Sequence, residues 1–139
     1  MGHLIVQPHK DDPFVGSCPF HQNCLEGLAS GSAIEQRFGH GAKDIATDDP
    51  FWDIEAFYLA QALMSYTLIL RPDKIILGGG VMKQTHLLAK IRIEFNRLLN
   101  DYVKTDHLVE YIVTPGLEGD AGIVGAVLLA EKAASTQSH

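Results

Sequence analysis

The first twenty-four residues hold most of the side chains that could do chemistry. Cys18-Pro-Phe-His21-Gln-Asn-Cys24 places three soft or borderline metal ligands at three-residue spacing. A tight turn can aim all three at one point. Zinc prefers four tetrahedral nitrogen or sulfur ligands, so the segment needs a fourth. Two upstream histidines can supply it: His3, fifteen residues before Cys18, or His9, nine before. The connection Gln7–Ser17 carries two prolines, a glycine and three charges, and has little apolar content of its own. A metal joining its ends would supply the missing stability. The competing reading makes Cys18 and Cys24 small buried hydrophobes and the histidines surface residues. A disulfide is disfavoured for a chain with no secretory signal. A closed four-ligand site is structural, because a catalytic zinc keeps one position open for water.

The elements that must position these residues come next. Leu25, Leu28, Ala29, Ala33, Ile34 and Phe38 follow a helical period that is interrupted at Gly31 and ends at Gly39-His40-Gly41. Ser30-Gly31-Ser32 reads as a kink in preference to an anion-facing helix start. Asp44, Asp48, Asp49, Asp53 and Glu55 read as a solvated loop that caps the following helix, with Pro50 at its N-terminus. Residues 51–70 are apolar around most of a helical circumference, which predicts a central helix buried on more than one side. Its aromatic residues Phe51, Trp52, Phe57, Tyr58 and Tyr66 suit a core or a subunit interface.

The period then changes. Arg71-Pro72-Asp73 is a turn, and Lys74-Ile75-Ile76-Leu77 is the short apolar run of a buried parallel strand. Gly78-Gly79-Gly80 follows at once, with a helix predicted over Gln84–Tyr102. Strand, glycine turn and helix allow a phosphate to approach the backbone at a sheet edge, although an unliganded tight turn explains the triple glycine as well. A second unit repeats the layout. A strand is expected over Glu110–Thr114 and a helix from Gly119-Asp120 to about Ala134, with Ile123, Val124, Val127 and Leu128 packing one face.

Composition agrees with one globular α/β domain of helices around a sheet. The chain has 139 residues, 46% hydrophobic and 20% charged, with a formal net charge of −6. That balance supports a core and gives no basic face for nucleic acid. The longest apolar stretches fall short of a bilayer span, and a cytoplasmic location is the expectation.

Together, Gly2-His3, the run from Cys18 through Cys24-Leu25-Glu26-Gly27-Leu28-Ala29-Ser30-Gly31, and Ile75-Ile76-Leu77-Gly78-Gly79-Gly80-Val81-Met82 resemble the C-terminal half of ROK-family sugar kinases. The Cys-x-x-His-x-x-Cys form is similar to the bacterial fructokinases of that family. The resemblance covers essentially residues 1–139. It implies a ribonuclease-H-like, actin-like fold, divided here into a zinc-binding loop (1–26), helices (27–70) and strand–helix units (71–134), with the N-terminal domain absent.

The resemblance also implies roles. It selects His3 over His9, giving the zinc set His3, Cys18, His21 and Cys24. It places His3 and Glu26 beside a hexose, fructose in the first instance, with Glu26 accepting hydrogen bonds from sugar hydroxyls. It assigns an ATP cleft to Ser32, Gly78, Gly79, Gly80 and Lys83. Mg²⁺ accompanies the ATP, and a homodimer is expected. The family's Asp-x-Gly-Gly-Thr phosphate loop and its aspartate base match nothing in this sequence. The start falls inside a Glu-x-Gly-His motif, so a fragment that does not turn over alone is expected. The rival readings are a sugar-sensing repressor of the same family and a zinc-stabilised interaction module.

Overall fold

The computed structural model describes residues 2–105 and 107–136. Its elements run in the order α1 (Leu25–Ala29), α2 (Gly31–Phe38), α3 (Phe51–Leu70), β1 (Ile75–Ile76), α4 (Leu87–Leu99), α5 (Leu108–Tyr111), β2 (Ile112–Val113) and α6 (Ala121–Thr136). The architecture is α/β. β1 and β2 pair in parallel, with Ile75 opposite Ile112 and Ile76 opposite Val113.

α3 is the organising element. The Asp49 carboxylate accepts from the Phe51 N–H at 2.8 Å, which satisfies one of the free donors of the first turn. The helix stops at Arg71, whose left-handed backbone (φ 46°) turns its N–H onto the Thr67 carbonyl. Pro72 prevents continuation. α4 lays a stripe of Leu87, Ile91, Phe95 and Leu99, all buried, against α3. The i, i+4 spacing puts these four on one face. They close a core with Ile34, Ile45, Phe51, Trp52, Ala56, Ala60, Leu63 and Ile112. A second, smaller cluster of Val6, Leu28, Ala29 and Tyr58 packs the N-terminal segment onto the other side of α3. α3 is thus buried on more than one side, as its composition requires. Phe51, Trp52 and Tyr58 lie inside this chain's own core.

Several expectations need correction. The helical pattern from Leu25 to Phe38 is not one kinked helix. Ser30 ends α1 and caps α2, its Oγ accepting from the Ala33 N–H at 3.1 Å. Glu55 is no part of a solvated loop: it lies on α3 and is fully buried. The helix expected over Gln84–Tyr102 is shorter, because Val81–Lys83 forms a 3₁₀ turn before it and Asn100 and Asp101 adopt positive φ after it. Glu110 and Tyr111 are helical rather than extended. Arg92 accounts for this locally, donating to the carbonyls of Val109 (2.9 Å) and Ile112 (3.0 Å), while Tyr111 Oη meets Thr67 Oγ1 at 2.9 Å. Finally, Ile123, Val127 and Leu128 of α6 stand exposed. The two-strand sheet among the described residues offers them no layer to pack on. No helix among the described residues is long and apolar enough to cross a membrane.

Candidate metal centre and glycine-rich cleft

Two stretches of backbone bring the four candidate ligands together. Residues 2–6 run antiparallel to residues 23–26: Glu26 N–H donates to the Gly2 carbonyl, Leu25 N–H to Leu4 and Val6 N–H to Asn23, at 2.8, 2.8 and 3.2 Å. This ladder sets His3 beside Cys24. The second device is a tight turn from Cys18 to Gln22, closed by Gln22 N–H on the Cys18 carbonyl at 3.0 Å, with Gln22 at φ 47°. The turn swings His21 back over Cys18. Gly27 makes the close packing possible. A Cβ there would lie 1.9 Å from the Gln22 carbonyl oxygen and 2.9 Å from Cys18 Cβ. Gly16 faces the same carbonyl from the other side, with φ +103°.

The result is a compact donor set. His3, Cys18, His21 and Cys24 each offer one ligand atom, and all four atoms lie within 4.8 Å of one another. His3 Nδ1 is 3.7 Å from Cys18 Sγ and 3.6 Å from Cys24 Sγ, and His21 Nδ1 is 3.9 Å from Cys18 Sγ. A tetrahedral zinc with ordinary bond lengths separates its nitrogen and sulfur ligands by about 3.6 Å. The donors therefore fit that ion in both chemistry and spacing. His9 is not among them. Its Nδ1 accepts from the Asp11 N–H at 3.2 Å and its ring packs edge-on against Phe57, whereas His3 stands among the four clustered donors.

The two thiols differ. The backbone N–H groups of His21 and Phe20 stabilise the Cys18 thiolate and bring its pKa down to about 6. Burial pushes Cys24 the other way. Cys24 also caps α1, its Sγ accepting from the Gly27 N–H at 3.4 Å. The first helix after the loop thus starts from one of the four clustered donors.

His3 has a second face. With Nδ1 toward the thiols, its Nε2 lies 3.6 Å from Glu26 Oε2. A carboxylate behind a ligating imidazole fixes the ring orientation and raises its basicity. Both His3 and Glu26 keep more than half of their side-chain surface exposed, at 53% and 58%. The two residues expected beside the sugar therefore share one open edge of the four-donor cluster.

The glycine-rich segment builds a separate cleft at the carboxyl ends of β1 and β2. Its volume is about 880 Å³, with Gly78, Gly79, Gly80 and Lys83 in the wall and Thr114, Pro115 and Gly119 opposite. Open α/β sheets place ligands at this end of their strands. Ser32, expected in the same cleft, is not among its lining residues: it sits on α2, its Oγ 2.8 Å from Ser30 Oγ.

Sequence reasoning gives no role to Asp12 or Arg37 and reads Tyr58 only as a core or interface residue. The Asp12 carboxylate, 2% exposed, takes hydrogen bonds from Arg37 Nη2 at 2.9 Å and Tyr58 Oη at 2.8 Å. The partners are 25 and 46 residues away in sequence, and no local signal marks them.

Comparison with known proteins decides the family. The sequence matches the ROK family over residues 1–133. The chain belongs to the ROK family. It is 44% identical to a fructokinase of Streptococcus mutans and 46% identical to one of Pediococcus pentosaceus, in each case over 96% of this chain. A fructokinase of Lactococcus lactis is 43% identical over 94% of this chain. The chain spans about half the length of these curated relatives, between 46% and 47% of each. ROK membership implies the actin-like sugar kinase fold, and the parallel strands flanked by helices agree with it.

Proposed function

We propose that this chain is the sugar- and nucleotide-facing portion of an ATP-dependent hexose kinase that converts fructose to fructose 6-phosphate. The observation that carries the reading is the shared edge of His3 and Glu26 on the four-donor cluster. It joins a metal-stabilised loop to a carboxylate free to accept from hydroxyl groups. The fructokinase relatives support the choice of reaction and sugar.

In this reading His3, Cys18, His21 and Cys24 hold a structural zinc, which fixes the loop and leaves no open position for chemistry. Glu26 anchors the sugar by accepting from its hydroxyls, while its contact with His3 keeps the carboxylate on the metal side of the pocket. The backbone of Gly78–Gly80 lets phosphate oxygens approach closely, and the Lys83 ammonium offsets their charge. Mg²⁺ bound with ATP supplies charge neutralisation for the transferred phosphoryl group. Ser32 contributes at most from outside the cleft that the glycines line. The reading includes three coarse units, a metal loop (1–26), helices (27–70) and strand–helix units (71–134). It also includes a homodimer, carried by the family resemblance, and a cytoplasmic location, carried by the sequence's lack of a long apolar span.

Phosphoryl transfer further needs a base to take the sugar hydroxyl proton. Among the described residues none combines a carboxylate with both the sugar edge and the glycine cleft. The 139-residue chain is therefore expected to show no fructose-dependent ATP turnover alone. Mixing it with the first half of the Streptococcus mutans fructokinase should restore measurable fructose 6-phosphate formation. A full kinase rate from the purified chain by itself contradicts this division of labour.

A further inference from the structure

We propose that Asp12, Arg37 and Tyr58 form a positioning clasp for the metal loop, and that the metal affinity of the cluster depends on it. The proposal rests on the metal-centre reading above and adds residues that touch neither metal nor sugar.

The clasp gathers three parts of the chain, the loop, α2 and α3, on one carboxylate. Asp12 stands at the tip of the loop between Val6 and Cys18. Its Oδ2 receives Arg37 Nη2 from α2 and Tyr58 Oη from α3, while its Oδ1 receives the Phe14 N–H at 3.1 Å. Arg37 Nη2 also donates to the Leu28 carbonyl at 3.2 Å, which lies in α1 two residues beyond Glu26. Tyr58 Oη in turn accepts from the His9 N–H at 3.0 Å. The guanidinium lies between the rings of Phe14 and Phe51, 4.5 and 5.0 Å from their centroids. Arg37 and Asp12 side chains are only 10% and 2% exposed.

A buried ion pair of this kind is weak as a source of stability, because desolvation offsets most of its attraction. Its strength is directional. The loop is polar, and its ends are pinned beside α1 by the ladder and by Ser17 on the Gly27 carbonyl. Gln7, paired with the Gln61 side chain, and the His9 ring on Phe57 hold its first residues to α3, and the clasp with the Phe14 ring holds its middle. His3 precedes the loop and Cys18 follows it, so the path of the loop sets where both ligands stand. With the tip held, the donors are in place before metal arrives. With it released, the ion must order the loop as it binds, and that ordering lowers affinity.

The test uses the 139-residue chain and Co²⁺, whose tetrahedral thiolate–imidazole spectrum reports the site directly. Affinity is measured by titration well below the melting midpoint of each variant, alongside a melting curve. Asp12→Asn and Arg37→Lys are expected to lose about tenfold in Co²⁺ affinity, the scale of outer-shell substitutions. Tyr58→Phe, which keeps the ring in its packing, is expected to lose about threefold. Asp53→Asn, on the exposed face of α3, should leave affinity unchanged. If Asp12→Asn or Arg37→Lys does not fold, Tyr58→Phe decides. Wild-type binding with unchanged affinity in the folded clasp variants overturns the clasp, whatever their melting temperatures do. No Co²⁺ binding by the wild type overturns the metal reading and the clasp with it.

Discussion

Glu55 is fully buried on α3, and among the described residues neither carboxylate oxygen has a hydrogen-bond partner. Burial pushes its pKa from 4.5 up to about 8, against the downward pull of the Arg37 charge and with a further push from Asp12. The folded chain therefore holds a proton there that the unfolded chain releases at lower pH. Stability from this group is complete below the unfolded value and declines as pH rises toward 8. Glu55→Gln should abolish that decline. Melting followed in the presence of chelator, which removes the metal contribution, checks it. We expect the wild type to lose on the order of a few kcal/mol between about pH 5 and 8 relative to the variant. Parallel pH profiles contradict the assignment. The cysteines give a second residue-scale outcome. Cys18→Ser or Cys24→Ser should abolish stoichiometric zinc and lower the melting midpoint of the metal-loaded chain by roughly 10 °C. Elemental content and calorimetry on the same sample measure both.

At the scale of elements, α3 was legible to the residue because its limits are written locally. Asp49-Pro50 starts it, Arg71-Pro72 stops it, and the apolar run between them admits little else. α5 was not legible. Val109, Glu110 and Tyr111 have strand-like composition, and what bends them into a helical turn is Arg92 reaching from α4 and Thr67 from α3. The four clustered donors were readable as candidate ligands because cysteine and histidine carry their chemistry in their identity. The clasp was not, since aspartate, arginine and tyrosine are common surface residues until the fold brings them together. The packing of α4 on α3 predicts that Phe95→Ala costs about 3–5 kcal/mol. By contrast, Ser30→Ala, which removes only the cap of α2, costs about 1 kcal/mol. Denaturant unfolding followed by Trp52 fluorescence ranks the two, and equal costs would mean that Phe95 does not carry the interface.

Across the whole molecule, stability is expected to be uneven. The larger core lies between α3 and α4 and includes none of the four clustered donors, whereas the N-terminal segment packs through the smaller cluster of Val6, Leu28, Ala29 and Tyr58. Chelation should therefore raise amide exchange across residues 3–24 while α3 and α4 stay protected. Uniform loss of protection would instead make the cluster a keystone of the entire fold. The apolar sequence of α6 predicts packing, yet Ile123, Val127, Leu128 and Leu129 are exposed. The chain spans about half of its relatives' length, and the sequence of a helix does not say which part of a molecule covers it.

The most direct measurement is zinc-edge X-ray absorption on the purified, metal-loaded chain. The account predicts one zinc per chain, with two sulfur neighbours near ~2.3 Å and two nitrogen neighbours at ~2.0–2.1 Å. A shell of light atoms alone, or no bound zinc after careful loading, contradicts it.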